Sequence, residues 1–331
     1  MKLDNVIPFV RDKVCLVTGG GGSIGSELVR HLCRMGAAKV VIVDIYENGA
    51  YEVKCELGDC VQVEIASVRD YAKMDYIMSE HMPDLVFHAA AHKHVPFMED
   101  NPEEAVKNNI RGTEIITELS EKYNADNFIL ISTDKAVEPI SIMGASKRVC
   151  EMIICDRAKT SKHTKFSAVR FGNVLNSNGS VIPLFKRQLK SGKLTVTDKE
   201  VTRFFMSIEQ AVLLVLQAVT IACGGEVFVL DMGRSISILD IAENVIRESG
   251  KIPYKDVDIE FTGLRHGDKL HEKLFYDWEE ISATDIDGVS KVYSSSVDEL
   301  WDKIEELYQL AEENNRREIK EKMLKITVEK Q

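Results

Sequence analysis

Val14-Cys-Leu-Val-Thr-Gly-Gly-Gly-Gly-Ser-Ile-Gly25 is the stretch that decides the fold. An apolar run ends at Thr18, and glycines at 19, 22 and 25 follow three apart before an amphipathic stretch over 23–35. Strand, glycine turn and helix in that order let backbone N–H groups and the positive end of a helix approach a pyrophosphate. Gly19, Gly22, Ser23, Ile24 and Gly25 are therefore expected to hold a dinucleotide. The next apolar run, 40–43, leads into Asp44, about 20 residues past the glycines, where a carboxylate accepts hydrogen bonds from ribose hydroxyls. Ile45-Tyr46-Glu47-Asn48 supplies no Arg or Lys for a 2′-phosphate, so the expected cofactor is NAD rather than NADP. The alternative for Asp44 is a cap on the following helix.

Working outward, short apolar runs at 61–65, 85–88, 128–131 and 166–169 alternate with helical periods such as 102–122. That alternation predicts the α/β class, with a Rossmann-type doubly wound parallel sheet. After Phe171 the rhythm breaks into Asn-, Gly- and Ser-rich sequence over 173–180, then into shorter elements set off by glycines. The expected organisation is an NAD-binding domain over 1–172, to which later segments can return. A smaller α/β substrate-binding region follows over 173–295, and a C-terminal helical segment over 296–331. In that last segment Ser296 and Glu299 have capping-box spacing, and Leu300, Ile304, Leu307 and Leu310 share the face of a surface helix.

With 331 residues, 44% of them hydrophobic, the chain can bury a large core. A formal charge of -11 argues against a nucleic-acid surface, which needs surplus Lys and Arg. Apolar runs such as 211–222 fall short of the roughly 20 residues that cross a bilayer. The start, MKLDNVIPFVRDK, lacks the apolar centre of a signal peptide, so no membrane association and a cytoplasmic location are expected. The seven cysteines have neither redox nor zinc spacing and are read as separate reduced thiols.

Ile131-Ser-Thr-Asp-Lys-Ala-Val-Glu-Pro139 ends a predicted strand and Met143-Gly-Ala-Ser-Lys147 opens the next helix, with residues 143 and 147 on one face. His88-Ala89-Ala90-Ala91, Asn108-Asn109 and Gly112-Thr113 precede them. With Thr-Gly-x-x-Gly-x-x-Gly at 18–25, these motifs resemble the extended short-chain dehydrogenase/reductases. Three further stretches are Val169-Arg-Phe-Gly-Asn-Val-Leu-Asn-Ser-Asn-Gly-Ser-Val-Ile-Pro183, Thr202-Arg-Phe-Phe-Met-Ser207 and Gly263-Leu-Arg-His-Gly-Asp-Lys-Leu-His-Glu272. From Lys13 to Tyr276 the chain thus resembles the polysaccharide-biosynthesis nucleotide-sugar dehydratases, in a soluble short form without the N-terminal membrane region of many relatives. It departs from the wider pattern twice. Ser67 stands where an Asp near the adenine is usual, and Met143 replaces the tyrosine that takes the substrate hydroxyl proton. Methionine has no ionisable proton, yet the dehydratase subfamily includes active enzymes with Met there.

The resemblance implies an NAD-dependent 4,6-dehydratase acting on UDP-N-acetylglucosamine. C4 is oxidised, water leaves across C5 and C6, hydride returns to C6, and C5 keeps its configuration in the UDP-4-keto-6-deoxy-N-acetylhexosamine. Ala89 and Ala90 are then expected to line the cofactor, Lys147 to hold the nicotinamide ribose and Thr133 to bond the C4 oxygen. Lys135 is expected to take the C5 proton and Asp134 to protonate the leaving hydroxyl. The C4 base stays open between Asp134 and another group. On the substrate side the expected contacts are His92 and Lys93 at the entrance, and Asn173, Asn176, Ser180, Val181 and Pro183 along the nucleotide. Arg203 and Arg265 are assigned to the diphosphate, with Arg170 and Lys186 as helpers. His88, His92 and His94 lack accompanying metal ligands, so no metal is expected. A homo-oligomer is expected by analogy. The rival readings are a C5-inverting dehydratase or C4-epimerase on a UDP-sugar, and a non-catalytic NAD-binding sensor.

Overall fold

The computed structural model describes residues 4–177, 179–293 and 298–328. The short apolar runs at 14–18, 40–43 and 85–88 become strands buried on both faces, as a sheet covered by helices on each side requires, whereas the run at 61–65 becomes a partly exposed edge strand. In order the elements are α1 (Val6–Val10), β1 (Val14–Thr18), α2 (Ser23–Arg34), β2 (Lys39–Asp44), α3 (Glu47–Leu57), β3 (Val61–Ile65), α4 (Tyr71–His81) and β4 (Leu85–His88). Next come α5 (Val95–Asp100), α6 (Pro102–Glu104), a π-helical turn (Ala105–Ile110), α7 (Arg111–Lys122), β5 (Asn127–Ile131), α8 (Ile142–Thr160) and β6 (Lys165–Arg170).

The second half contains β7 (Asn173–Val174), α9 (Val181–Gln188), β8 (Lys193–Val196), β9 (Thr202–Arg203), β10 (Phe205–Met206), α10 (Ile208–Thr220) and β11 (Glu226–Leu230). It ends with β12 (Ile236–Ser237), α11 (Ile238–Glu248), β13 (Asp258–Phe261), β14 (Ser282–Ala283), β15 (Val289–Tyr293), α12 (Leu300–Glu312) and α13 (Arg316–Val328). Among the described residues the main sheet runs β14-β15-β11-β6-β5-β4-β1-β2-β3. Its strands β1 to β6 and β11 are parallel, β15 runs antiparallel to β11, and β14 closes that edge antiparallel to β15. This is the Rossmann order with a switch point between β1 and β4, where α/β sheets open a crevice. β11 and β15, both beyond residue 172, thus belong to the first sheet.

Two apolar layers sandwich the sheet, and a third core built on Phe185, Leu194, Val201, Ile238, Ile246 and Ile259 holds the smaller lobe together. That lobe pairs β7 with β10, β9 with β12 and β8 with β13. α8 is buried continuously from Ile142 to Cys155, because the sheet covers one side and α13 the other.

The C-terminal segment departs from a single surface helix. α12 and α13 insert Ile304, Leu307, Ile319, Met323 and Ile326 into the same core as α8, each contributing about 1.5–3 kcal/mol. Ser296, the first member of the expected capping box, lies outside the described residues. The cysteine expectation is also corrected. Cys33, at the end of α2, forms a disulfide with Cys60, ahead of β3, because the two helix ends bring their Cα atoms to 6.0 Å. The other five form no disulfide among the described residues.

Candidate active site

One cavity of about 670 Å³ opens along the C-terminal ends of β1, β2, β4 and β5 and reaches the smaller lobe. At its first end lies the glycine turn. Gly19 has φ +68°, and a Cβ there would come within 2.8 Å of the Ala90 nitrogen. A Cβ on Gly25 would fall 2.1 Å from the Gly19 carbonyl oxygen, so any side chain forces the turn away from α2. The turn is held by Gly19 N–H donating to Val43 O (2.8 Å) and Gly22 N–H to Gly19 O (3.0 Å). Asp44 is tied into this turn. Its Oδ2 accepts from Gly21 N–H and its Oδ1 from Tyr46 N–H, each at 2.8 Å, while the carboxylate lines the cavity. Ser67 also lines this end, its Oγ accepting from Arg69 N–H at 3.2 Å.

The middle of the wall is fixed from behind. His88 is fully buried between Thr18 Oγ1 (2.8 Å) and Thr113 Oγ1 (3.2 Å). Burial, with the Lys147 charge nearby, pushes its pKa down to about 3, so the ring is neutral and structural. Among the described residues no group of His, Cys, Asp and Glu could hold a metal. Ala89 and Ala90 face the cavity, and beyond them Asn109 clamps His92: its Oδ1 accepts from His92 N–H and its Nδ2 donates to His92 O and Ser146 Oγ. Asn109 projects from the π-helical turn, an interruption often found at functional sites. The sequence shows only continuous amphipathic helix there. His92, Lys93 and His94 line the cavity, and burial lowers the pKa of each.

At the far end from the glycine turn, Thr133, Lys135, Met143 and Lys147 all line the cavity. Met143 and Lys147 share a face of α8, whose start is capped by Ser141 Oγ on Gly144 N–H and by Glu99 Oε1 on Ile142 N–H. Gly144 lets the 3-10 turn Asp134–Ala136 touch the helix, since a Cβ would sit 2.2 Å from Lys135 O. Lys147 is buried, has no hydrogen-bond partner among the described residues, and burial lowers its pKa.

Asp134 does not reach the cavity: it is fully buried, with Oδ1 accepting from Thr133 Oγ1 (2.9 Å) and Lys135 Nζ (3.0 Å) and Oδ2 unpartnered among the described residues. Lys135 Nζ also donates to Asn173 Oδ1 (3.2 Å). Burial alone would lower the Lys135 pKa, but the Asp134 and Glu272 carboxylates outweigh it and raise the value. Lys135 is therefore an ammonium.

On the substrate side Asn173, Ser180 and Val181 line the cavity, with Ser180 at the N-terminus of α9, while Asn176 is an exposed turn residue and Pro183 lies off the wall. The arginines are placed elsewhere. Arg203 donates to the carbonyls of Thr202, Lys269 and Leu270, and Arg265 is exposed and pairs with Asp268. Arg170 is buried between Glu151 and Glu279, and Lys186 points into solvent. Glu272, within a recognised motif but given no role, lies 3.5 Å from Lys135 Nζ.

The family of polysaccharide biosynthesis proteins matches residues 15–294. The capsular polysaccharide biosynthesis protein CapD of Staphylococcus aureus is 49% identical over 270 residues, 80% of this chain and 45% of CapD; the chain thus spans less than half of that relative. A UDP-glucose 4-epimerase of Rickettsia rickettsii is 36% identical over 284 residues, 83% of this chain and 81% of the epimerase. Among solved structures, Pen from Bacillus thuringiensis superposes with a TM-score of 0.79 at 31% identity, covering 93% of this chain and 99% of Pen. Built on a Rossmann-type sheet with its cavity at the strand ends, and matched over most of its length, this chain belongs to the family of polysaccharide biosynthesis proteins.

Proposed function

We propose that this chain is an NAD-dependent nucleotide-sugar 4,6-dehydratase acting on UDP-N-acetylglucosamine. The observation that carries the reading is the sharing of one cavity by the Gly19–Gly25 turn and Asp44 with Thr133, Lys135 and Lys147, where Met143 takes the tyrosine's place. NAD fits the residues present. The turn is too close for any Cβ at Gly19 or Gly25, Asp44 offers carboxylate lone pairs, and the Lys147 ammonium faces the cavity. When bound, NAD supplies a hydride acceptor and donor.

The protein's part is to move protons. Thr133 Oγ1 takes the C4 hydroxyl proton while passing its own to Asp134, which compensates for the missing tyrosine. Lys135 gives a proton to the departing C6 hydroxyl and, as the amine, takes the C5 proton. It later returns that proton to C5 and is reset by the one held on Asp134, across 3.0 Å. The role of acid assigned to Asp134 from sequence thus moves to Lys135, because Asp134 has no surface on the cavity and Lys135 is charged. One amine that takes and returns the C5 proton on one face leaves C5 with its configuration retained. Lys93 and the N-terminal end of α9 at Ser180 and Val181 replace the arginines as the diphosphate site.

Incubation with NAD and UDP-N-acetylglucosamine, followed by mass analysis and proton NMR, tests this. Loss of one water with a new C6 methyl and unchanged C5 is the expected result. An isomer of unchanged mass makes the chain an epimerase, an inverted C5 makes it the other dehydratase, and NAD binding without turnover across UDP- and dTDP-sugars makes it a sensor.

A further inference from the structure

Two buried carboxylates converge on the Lys135 ammonium, and only one comes from its own turn. Asp134 Oδ1 lies 3.0 Å from Nζ and Glu272 Oε1 lies 3.5 Å away. Glu272 arrives on the segment 263–272, which crosses from the smaller lobe to the start of α8. Lys269 Nζ in that segment donates to Val137 O at 2.6 Å, and Gly267 packs so closely on Ser141 that a Cβ would come within 2.9 Å. The cations around Glu272 are Lys135, Lys269 (3.6 Å) and Arg203 (3.8 Å). Its Oε2 has no hydrogen-bond partner among the described residues. A carboxylate is costly to bury so incompletely bonded, and the proton transfers above leave it without a task. Arg203 is committed to three backbone carbonyls and braces the segment.

We propose that Glu272 is a positioning residue for Lys135, delivered by the smaller lobe, that fixes the ammonium against the cavity and keeps it charged between turnovers. Its consequence for catalysis rests on the dehydratase reading; its geometry does not. Asp134 and Glu272 both favour the charged lysine, while burial and Arg203 oppose it. Replacing the Glu272 charge removes one of the two favourable influences, so Lys135 gives up its proton at lower pH. An enzyme that starts from the ammonium then loses its acid sooner on the alkaline side.

The test is competitive acetylation of Lys135 by acetic anhydride across pH in the full chain, read by peptide mass spectrometry, since the side chain retains 21% exposure. Glu272→Gln is expected to lower the labelling midpoint by about one pH unit, roughly tenfold in proton affinity, with Glu272→Asp between it and the parent. The alkaline limb of kcat falls to lower pH by the same amount while KM is unchanged. A Glu272→Gln midpoint equal to the parent's overturns the proposal, whatever the enzyme does to sugars. If the parent removes water from no nucleotide sugar and the midpoint still moves, the positioning of Lys135 stands and the dehydratase reading falls. Should Glu272→Gln lose its fold by circular dichroism, Glu272→Asp decides alone: an unchanged midpoint overturns the proposal.

Discussion

Thr133 Oγ1 donates to Asp134 Oδ1 across 2.9 Å, so the hydroxyl on the cavity wall is backed by a carboxylate that never reaches the wall. A serial relay of this kind acts as a unit. Thr133→Val and Asp134→Asn are each expected to lower kcat by about 10²- to 10⁴-fold, the usual worth of a general base. The double variant loses little more than either single one. Steady-state kinetics on all three proteins checks this, and losses that multiply would mean that the two residues act separately.

The parts of the site that were legible in the sequence are those set by spacing within one element. Gly19, Gly22 and Gly25 follow a strand, and Met143 and Lys147 share a helical turn; all five positions reach the cavity wall. What depends on packing between distant segments was not legible. Asp134 and Lys135 are neighbours in sequence, yet the turn buries one and presents the other. Arg170 and Arg203 lie off the cavity wall for a physical reason: a guanidinium satisfies buried carbonyls and carboxylates as readily as a diphosphate, and only tertiary structure tells which is near. Glu272 was visible within its motif, but its approach to Lys135 depends on how the smaller lobe folds back.

Arg170 provides a direct check on that reassignment. Its guanidinium makes bonds of 2.8–3.1 Å to Glu151 and Glu279, and Glu151 in turn accepts from Ser132 Oγ at 2.6 Å. Arg170→Met leaves two buried carboxylates with too little positive charge and is expected to cost about 3–5 kcal/mol of stability in urea unfolding. KM for the nucleotide sugar should stay where it was. A raised KM in a protein of parental stability would return Arg170 to the diphosphate.

The Cys33–Cys60 bridge joins residues 27 apart, for which loop-closure entropy gives about 3–4 kcal/mol of stabilisation. Protein purified without reductant and then denatured should titrate five thiols, rising to seven after reduction. Reduction should lower the urea midpoint by a corresponding amount. Seven thiols before reduction would remove the bridge and restore the reading of separate cysteines.

His88 makes the fold sensitive to mild acid. Its folded pKa of about 3 lies below the ordinary value near 6.5, so between these limits the unfolded chain binds a proton that the folded chain refuses. The sign follows: there is no penalty above pH 6.5, and stability declines as pH falls from there toward 3. Between pH 7 and pH 5 the loss due to this one group is about 2 kcal/mol. His88→Gln, which can still bond Thr18 and Thr113, is expected to be less stable than the parent at pH 7 but to lose correspondingly less on acidification. Urea unfolding of both proteins at pH 7, 6 and 5 measures the difference. Parallel declines would mean that the imidazole accepts a proton without leaving its place, and that its burial between two threonine hydroxyls does not hold it neutral.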